Sequence, residues 1–237
     1  MNKKITYKPF GDKAILIEWQ SIIDEAILKD IIQFKTKIKN QVLGLNDIVV
    51  GYNSITILYK NSIPNFLEEV TLLKSIYKKE SEKIEFKNTV WEIPVCYNLE
   101  FGLDLKEICI KKQLSIPNII QLHTQPIYTV FFIGFLPGFP YLSGLNEQLF
   151  CDRKANPRIK VEKGSVAIGG HQTGVYPVTS SGGWNVIGKT PIQFFDITKR
   201  NPSFLKSGDK LKFIPISKEE YFEMEHTNDV TKIVNND

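Results

Sequence analysis

Few side chains in this sequence stand where they can do chemistry, and most of them fall between Val130 and Pro191. Glycine turns in that stretch can aim backbone N–H groups at an anion. Ser180-Ser181-Gly182-Gly183 and Gly169-Gly170 are the two candidates, for a carboxylate or for an oxyanion developing at an amide carbonyl. Tight hairpin turns account for the same spacing. Gln172 and Thr173, between Gly170 and Gly174, either present polar groups to a ligand or face solvent. Arg158, after Pro157, carries a fork that can grip a carboxylate through two bonds, in a site or in a surface ion pair. His123 closes a short helical segment. It is the best lone candidate for proton transfer, set against a satisfied structural histidine. Phe135, Phe139, Tyr141 and Trp184 suit a pocket wall, a protein interface or a barrel core.

Several chemistries are not supported. In Gly164-Ser165-Val166-Ala167-Ile168 the second glycine of a nucleophile elbow comes one residue late, as Gly169. Neither glycine pair is followed by the Lys-Ser/Thr of a phosphate loop. His123, His171 and His226 are far apart, and Cys96, Cys109 and Cys151 share no C-x-x-C spacing, so no metal site is expected. The odd cysteine number fits reduced thiols in a cytoplasmic protein. The net charge of +4 is spread among acidic residues, unlike the clustered cations of a nucleic-acid binder. No apolar run approaches the roughly 20 residues of a membrane span, and no apolar signal segment follows the N-terminal lysines.

The elements that must position these residues fall into two sets. Ile5–Tyr7 and Ala14–Trp19 read as strands around the Gly11-Asp12 turn. Ser21, three residues before Asp24, has capping-box spacing, and apolar residues at helical intervals predict a helix over about 22–39. Asp47–Gly51 and Ser54–Tyr59 form a predicted hairpin. Pro64 opens a second helix that buries Phe66, Leu67, Val70, Leu73 and Tyr77. An extended segment follows from Lys83 to Cys96, with Ile84 and Phe86 among its apolar residues. This order matches a ferredoxin-like α/β domain over 1–95. Asp104–Lys112 and Pro117–Thr124 read as two short helices, a linker over about 102–124. They resemble a helix-turn-helix, but Asn118–His123 holds no cation for phosphate, which argues against DNA. Beyond Ile127, short apolar strands alternate with Gly/Pro turns: 128–133, 164–168, 174–178, 184–187, 193–197 and 210–214. That texture predicts a barrel or sandwich, in a second domain over 96–237. Thr227–Asp237 reads as a polar tail.

The block Ile133-Gly134-Phe135-Leu136-Pro137-Gly138-Phe139-Pro140-Tyr141-Leu142 resembles the allophanate hydrolase subunit 1 family. So do Leu122-His123, Pro157-Arg158, Gly164–Gly170, Gln172-Thr173-Gly174-Val175-Tyr176-Pro177, Gly182-Gly183-Trp184 and Gly188-Lys189-Thr190-Pro191. Asp12, Asn53–Thr56 and Glu92–Val95 with Tyr97 extend the resemblance along the whole chain, while Cys151-Asp152-Arg153-Lys154, Glu162 and Ser181 depart from it.

The resemblance implies an α+β protein, with a ferredoxin-like N-terminal domain and a cyclophilin-like β-barrel of carboxyltransferase type. It implies a subunit of an ATP-dependent hydrolase that opens 5-oxo-L-proline to L-glutamate, inactive without partner subunits A and C. ATP, with Mg through ATP, is used by the whole complex. The alternatives are a Kip-type inhibitor of a sensor histidine kinase and a subunit acting on allophanate. The implied catalytic residues are His123 and Arg158. The implied substrate-binding residues are Phe135, Pro137, Gly138, Phe139, Tyr141, Gln172, Thr173, Tyr176, Gly182, Gly183 and Trp184, with no metal ligands.

Overall fold

The computed structural model describes residues 5–80 and 90–225 and the backbone of Lys232–Ile233. Ile84, Phe86, His226 and the rest of the segment from Thr227 lie outside the described residues. The chain divides into two compact units, Met1–Phe86 and Lys87–Asp237.

The first unit holds β1 (Thr6–Pro9), β2 (Ala14–Glu18), α1 (Glu25–Gln41), β3 (Leu45–Val50), β4 (Ser54–Tyr59) and α2 (Phe66–Lys78). The strands form one antiparallel sheet in the order β1-β2-β4-β3. Asp24, rather than Ser21, caps α1: its Oδ1 accepts the Ala26 N–H at 2.6 Å. Ile27, Leu28, Ile31, Phe34 and Ile38 recur at helical spacing and are buried. Asn65 caps α2, so Pro64 lies just outside the helix. Val70, Leu73 and Ile76 form its buried stripe, and Leu67 is exposed instead.

The second unit begins with β5 (Val90–Cys96), α3 (Leu105–Lys112), α4 (Ile116–Thr124), β6 (Tyr128–Ile133) and β7 (Pro140–Ser143). It continues with β8 (Arg158–Val161), β9 (Ser165–Gly169), β10 (Gln172–Val175), β11 (Ser180–Gly182), β12 (Asn185–Lys189), β13 (Lys210–Ile216), α5 (Lys218–Glu225) and β14 (Lys232–Ile233). Seven strands run β12-β9-β10-β7-β6-β13-β5, and pairing of Lys189 with Cys96 closes them into a barrel. Closure leaves no long open edge among them. β8 and β11 form a separate two-stranded ribbon.

Two expectations are corrected. The segment Val90–Cys96 does not complete the first sheet; it runs parallel to β13 inside the barrel, residue for residue with Lys210–Ile216. The sheet edge that a ferredoxin-like unit gives to the strand after its second helix is held by β1, paired with β2. Residues 193–197 are not a strand. Ile192 and Phe194 are buried as the apolar pattern suggests, but the backbone there bonds locally. Thr190 Oγ1 accepts from Ile192 N–H, Gln193 Nε2 donates to the Phe195 carbonyl, and Asp196 N–H donates to the Pro202 carbonyl. Side-chain bonds of this kind compete with a ladder.

Candidate functional site

Alternation along the barrel strands sorts residues to two faces. Val166 and Ile168 of β9, Val175 of β10, Leu142 of β7 and Ile187 of β12 fill the barrel interior with Tyr128, Val130, Leu211 and Phe213. Their neighbours Ala167, Tyr141 and Val186 face outward, into a second apolar cluster with Phe139, Tyr176 and Trp184. The rings meet edge to face. Phe139 lies 5.3 Å from Trp184 at 89° and 5.2 Å from Tyr176 at 86°, and Tyr141 lies 5.6 Å from Trp184 at 81°. These are favoured quadrupolar arrangements, worth about 0.5–1.5 kcal/mol per pair beyond burial.

The rings reach the sheet because side chains are missing beneath them. A Cβ on Gly169 would stand 2.5 Å from the Trp184 ring. One on Gly174 would stand 2.7 Å from the Pro140 carbonyl and 2.9 Å from the Phe139 ring. The glycines that look like turn punctuation in the sequence are here seats for aromatic rings.

Phe135 is placed by two successive tight turns. Leu136 N–H donates to the Gly134 carbonyl at 2.8 Å, which closes a three-residue turn with Phe135 at φ +64°. Phe139 N–H then donates to the Leu136 carbonyl at 3.0 Å, with Pro137 and Gly138 at its centre. Gly138, at φ +85°, fits the third position of a type II turn, and Pro137 fits the second. Phe135 is 59% exposed and touches Phe139 and Tyr176 edge-on, at 5.6 and 6.5 Å. A phenylalanine in the left-handed region is unfavourable by roughly 1–2 kcal/mol.

Arg158 does grip a carboxylate, but it is the protein's own. Its Nη1 and Nη2 donate to Asp104 Oδ2 and Oδ1 at 2.8 and 2.7 Å. Asp104 also takes Lys154 Nζ at 2.7 Å and the Val186 N–H at 2.7 Å. It stands at the N-cap position of α3 yet makes no side-chain cap, because its carboxylate is drawn across to β12 and Arg158. Burial pushes the Asp104 carboxyl up, but bonds from Arg158, Lys154 and Val186 N–H outweigh that and hold it below the usual range. Arg158 is therefore a strut between β8 and α3, its fork taken up by the protein's own carboxylate.

His123 is likewise engaged within the protein. It is fully buried in the barrel interior, its ring stacked on Phe213 at 4.6 Å and 21°. The Thr173 hydroxyl donates to the Ala167 carbonyl at 3.1 Å, so it accepts from His123 Nε2 at 2.9 Å. That leaves Nδ1 to accept from the Tyr97 hydroxyl at 2.7 Å. Both ring nitrogens are engaged, and burial pulls the imidazole down to about 3. Thr173 belongs to this interior triad and not to the outer cluster.

The glycine pairs form no anion nest. Gly182 lies in β11, and neither it nor Gly183 has the positive φ a nest uses. Gly183 instead gives its carbonyl to Lys154 N–H at 2.7 Å. Gly170 has φ +65°, but its N–H donates to the Cys151 carbonyl at 2.7 Å. Of the expected binding residues, the fold brings Phe135, Phe139, Tyr141, Tyr176 and Trp184 together, with Gln172 on the same outward face as Gly174. Spacing alone singles out neither Asp104 nor Arg153. Asp104 has the pattern of an ordinary helix start, and Arg153 stands in a run that departs from the motif. Among the described residues no group of three His, Cys, Asp or Glu could hold a metal, and no helix is long and apolar enough to cross a membrane.

A closed barrel with an outward aromatic cluster thus follows a four-stranded α/β unit along the chain. Residues 5–205 match the family described as carboxyltransferase domain, subdomain C and D, and the chain belongs to that family. It is similar to the B-type subunit of the Bacillus subtilis (strain 168) 5-oxoprolinase, 34% identical over 93% of this chain and 97% of that one. It is 37% identical to the B-type subunit of the Escherichia coli O157:H7 5-oxoprolinase, over 86% of this chain and 93% of that one. The crystal structure of the Kluyveromyces lactis urea carboxylase shares the fold, with a TM-score of 0.78 over 98% of this chain and 24% of that one at 20% identity.

Proposed function

We propose that this chain is the B-type subunit of an ATP-dependent 5-oxoprolinase, which opens the lactam of 5-oxo-L-proline to L-glutamate together with subunits A and C. The observation that carries this reading is the end-to-end match to relatives of that name, 97% of the length of one of them. Hydrolysis of an unstrained amide near neutral pH gains from coupling to ATP, and an activated carbonyl needs electrostatic support. ATP is used by the whole assembly, and the two glycine pairs of this subunit form no cradle for its phosphates. A phosphate cradle needs free N–H groups. Here the N–H of Gly170 is bonded to Cys151, and the Gly182-Gly183 pair lacks the nest conformation. The outer aromatic face is the surface offered to substrate or to a partner subunit.

The test is co-expression with candidate A and C subunits, followed by measurement of glutamate released from 5-oxo-L-proline with and without ATP. Release that needs ATP and this chain is expected. No release from a verified, folded complex would overturn the reading.

A further inference from the structure

The segment Cys151–Lys154 is fastened along its length. Cys151 and Gly170 exchange two backbone bonds, at 3.1 and 2.7 Å. The Asp152 carbonyl accepts from Asn185 Nδ2 at 2.9 Å, and Lys154 N–H donates to the Gly183 carbonyl at 2.7 Å. The two nearest cations are also accounted for. Lys154 pairs with Asp104 and Glu107, and Arg158 pairs with Asp104. Arg153 differs. It is exposed, and among the described residues its guanidinium has no hydrogen bond and no ion pair. Its neighbours Asp152 and Lys154 are bonded to Asn185 and Gly183, the residues on either side of Trp184, so Arg153 lies beside the outer aromatic cluster. A fastened backbone thus holds an unpaired fork beside an aromatic surface.

A second observation points to the same place. Gln172 Nε2 is buried without an acceptor among the described residues. A buried donor without an acceptor is unfavourable. Gln172 lies opposite Gly169, which carries the Trp184 ring, and one same-face step along β10 from Gly174, which lies opposite Tyr141. The residue as a whole is half-buried, and rotation of its terminal amide is soft.

We propose that Arg153 and Gln172, against the Tyr141 and Trp184 rings, recognise a small ligand carrying a carboxylate beside an amide carbonyl. The carboxylate takes the Arg153 fork, and the carbonyl takes Gln172 Nε2. Identification of the ligand as 5-oxo-L-proline rests on the function proposed above; the carboxylate requirement rests on Arg153.

The test is equilibrium binding by calorimetry, with 5-oxo-L-proline and with 2-pyrrolidinone, which lacks the carboxylate. Both are titrated into the full chain and into its complex with the partner subunits. A charge-assisted bond of about 1.5–3 kcal/mol predicts roughly 10- to 100-fold preference for 5-oxo-L-proline. Arg153→Gln should abolish that preference with an unchanged melting curve, and Gln172→Leu should weaken both ligands alike. A preference that survives Arg153→Gln overturns the inference. So does failure of both ligands to bind either preparation, or an Arg153→Gln chain that binds normally but no longer assembles with its partners. ATP-dependent glutamate release that ignores Arg153→Gln would keep the 5-oxoprolinase reading and reject this site. Arg153-dependent binding without any turnover would do the reverse.

Discussion

Arg158 holds Asp104 through two hydrogen bonds, and Asp104 is 1% exposed. Removal of one partner from such a pair strands the other. Breaking a buried pair costs about 3–5 kcal/mol. Asp104→Ala should therefore destabilise the protein by about 3 kcal/mol, since it also frees Lys154 and the Val186 N–H. Arg158→Ala should cost less, because Lys154 and Val186 still serve the carboxylate. Urea denaturation of both variants measures the order; equal stability to the wild type would remove the strut.

The same carboxylate sets an acid limit. Its folded value lies below the ordinary carboxylate value of about 3.9. A depressed acid contributes stability that is present above its unfolded value and is lost as pH falls through its folded one. Wild-type stability should drop below about pH 4, and Asp104→Asn should flatten that part of the profile. Parallel profiles for the two proteins would show that Asp104 is not the titrating group.

His123 works in another window. Its folded value is pulled to about 3 from an ordinary value of 6.5. Between those values the unfolded chain binds the extra proton. The neutral ring's contribution is thus complete above pH 6.5 and shrinks as pH falls toward 3. Nitrogen NMR at about pH 5 should show a neutral ring with its proton on Nε2. A charged imidazole at that pH would contradict the bonding among Tyr97, His123 and Thr173.

Trp184 lies on Gly169, and Phe139 on Gly174, with no room for a methyl group. Overpacking of this sort typically costs about 1–3 kcal/mol. Gly174→Ala should stand near the upper end, about 3 kcal/mol, because one obstacle is the Pro140 backbone carbonyl, which cannot rotate away. Gly169→Ala meets only a ring, which can shift. Denaturant midpoints for the two variants give the comparison, and tolerance of both would mean that the rings move freely.

What can be read from the sequence follows from periodicity. The stripe Ile27, Ile31, Phe34 and Ile38 identifies α1, and β6, β9, β12 and β13 show as apolar runs between turns. Strand partners are non-local, so nothing near Val90–Cys96 says that it pairs with Lys210–Ile216 rather than with the first sheet. Residues 193–197 carry a strand's apolar pattern, but their bonds are decided by Thr190, Gln193 and Asp196 side chains. The aromatic residues of the outer cluster are visible as types, whereas the glycines beneath them look like turns. Arg158 and His123 look reactive because a sequence does not show the Asp104 and Thr173 that occupy them.

Phe135 combines a positive φ with a largely exposed ring, and neither favours folding. Strain of roughly 1–3 kcal/mol that persists at a surface is a mark of use rather than of packing. Glycine adopts the same φ without strain, and the ring's edge contacts to Phe139 and Tyr176 are modest. Phe135→Gly should thus leave stability within about 1 kcal/mol of the wild type. The same change should lower glutamate release by the assembled complex, or its assembly, at least about tenfold, a loss near 1.4 kcal/mol. Paired measurement of denaturant midpoint and complex turnover separates the two roles. A clear loss of stability with turnover per folded complex unchanged would make Phe135 a packing residue.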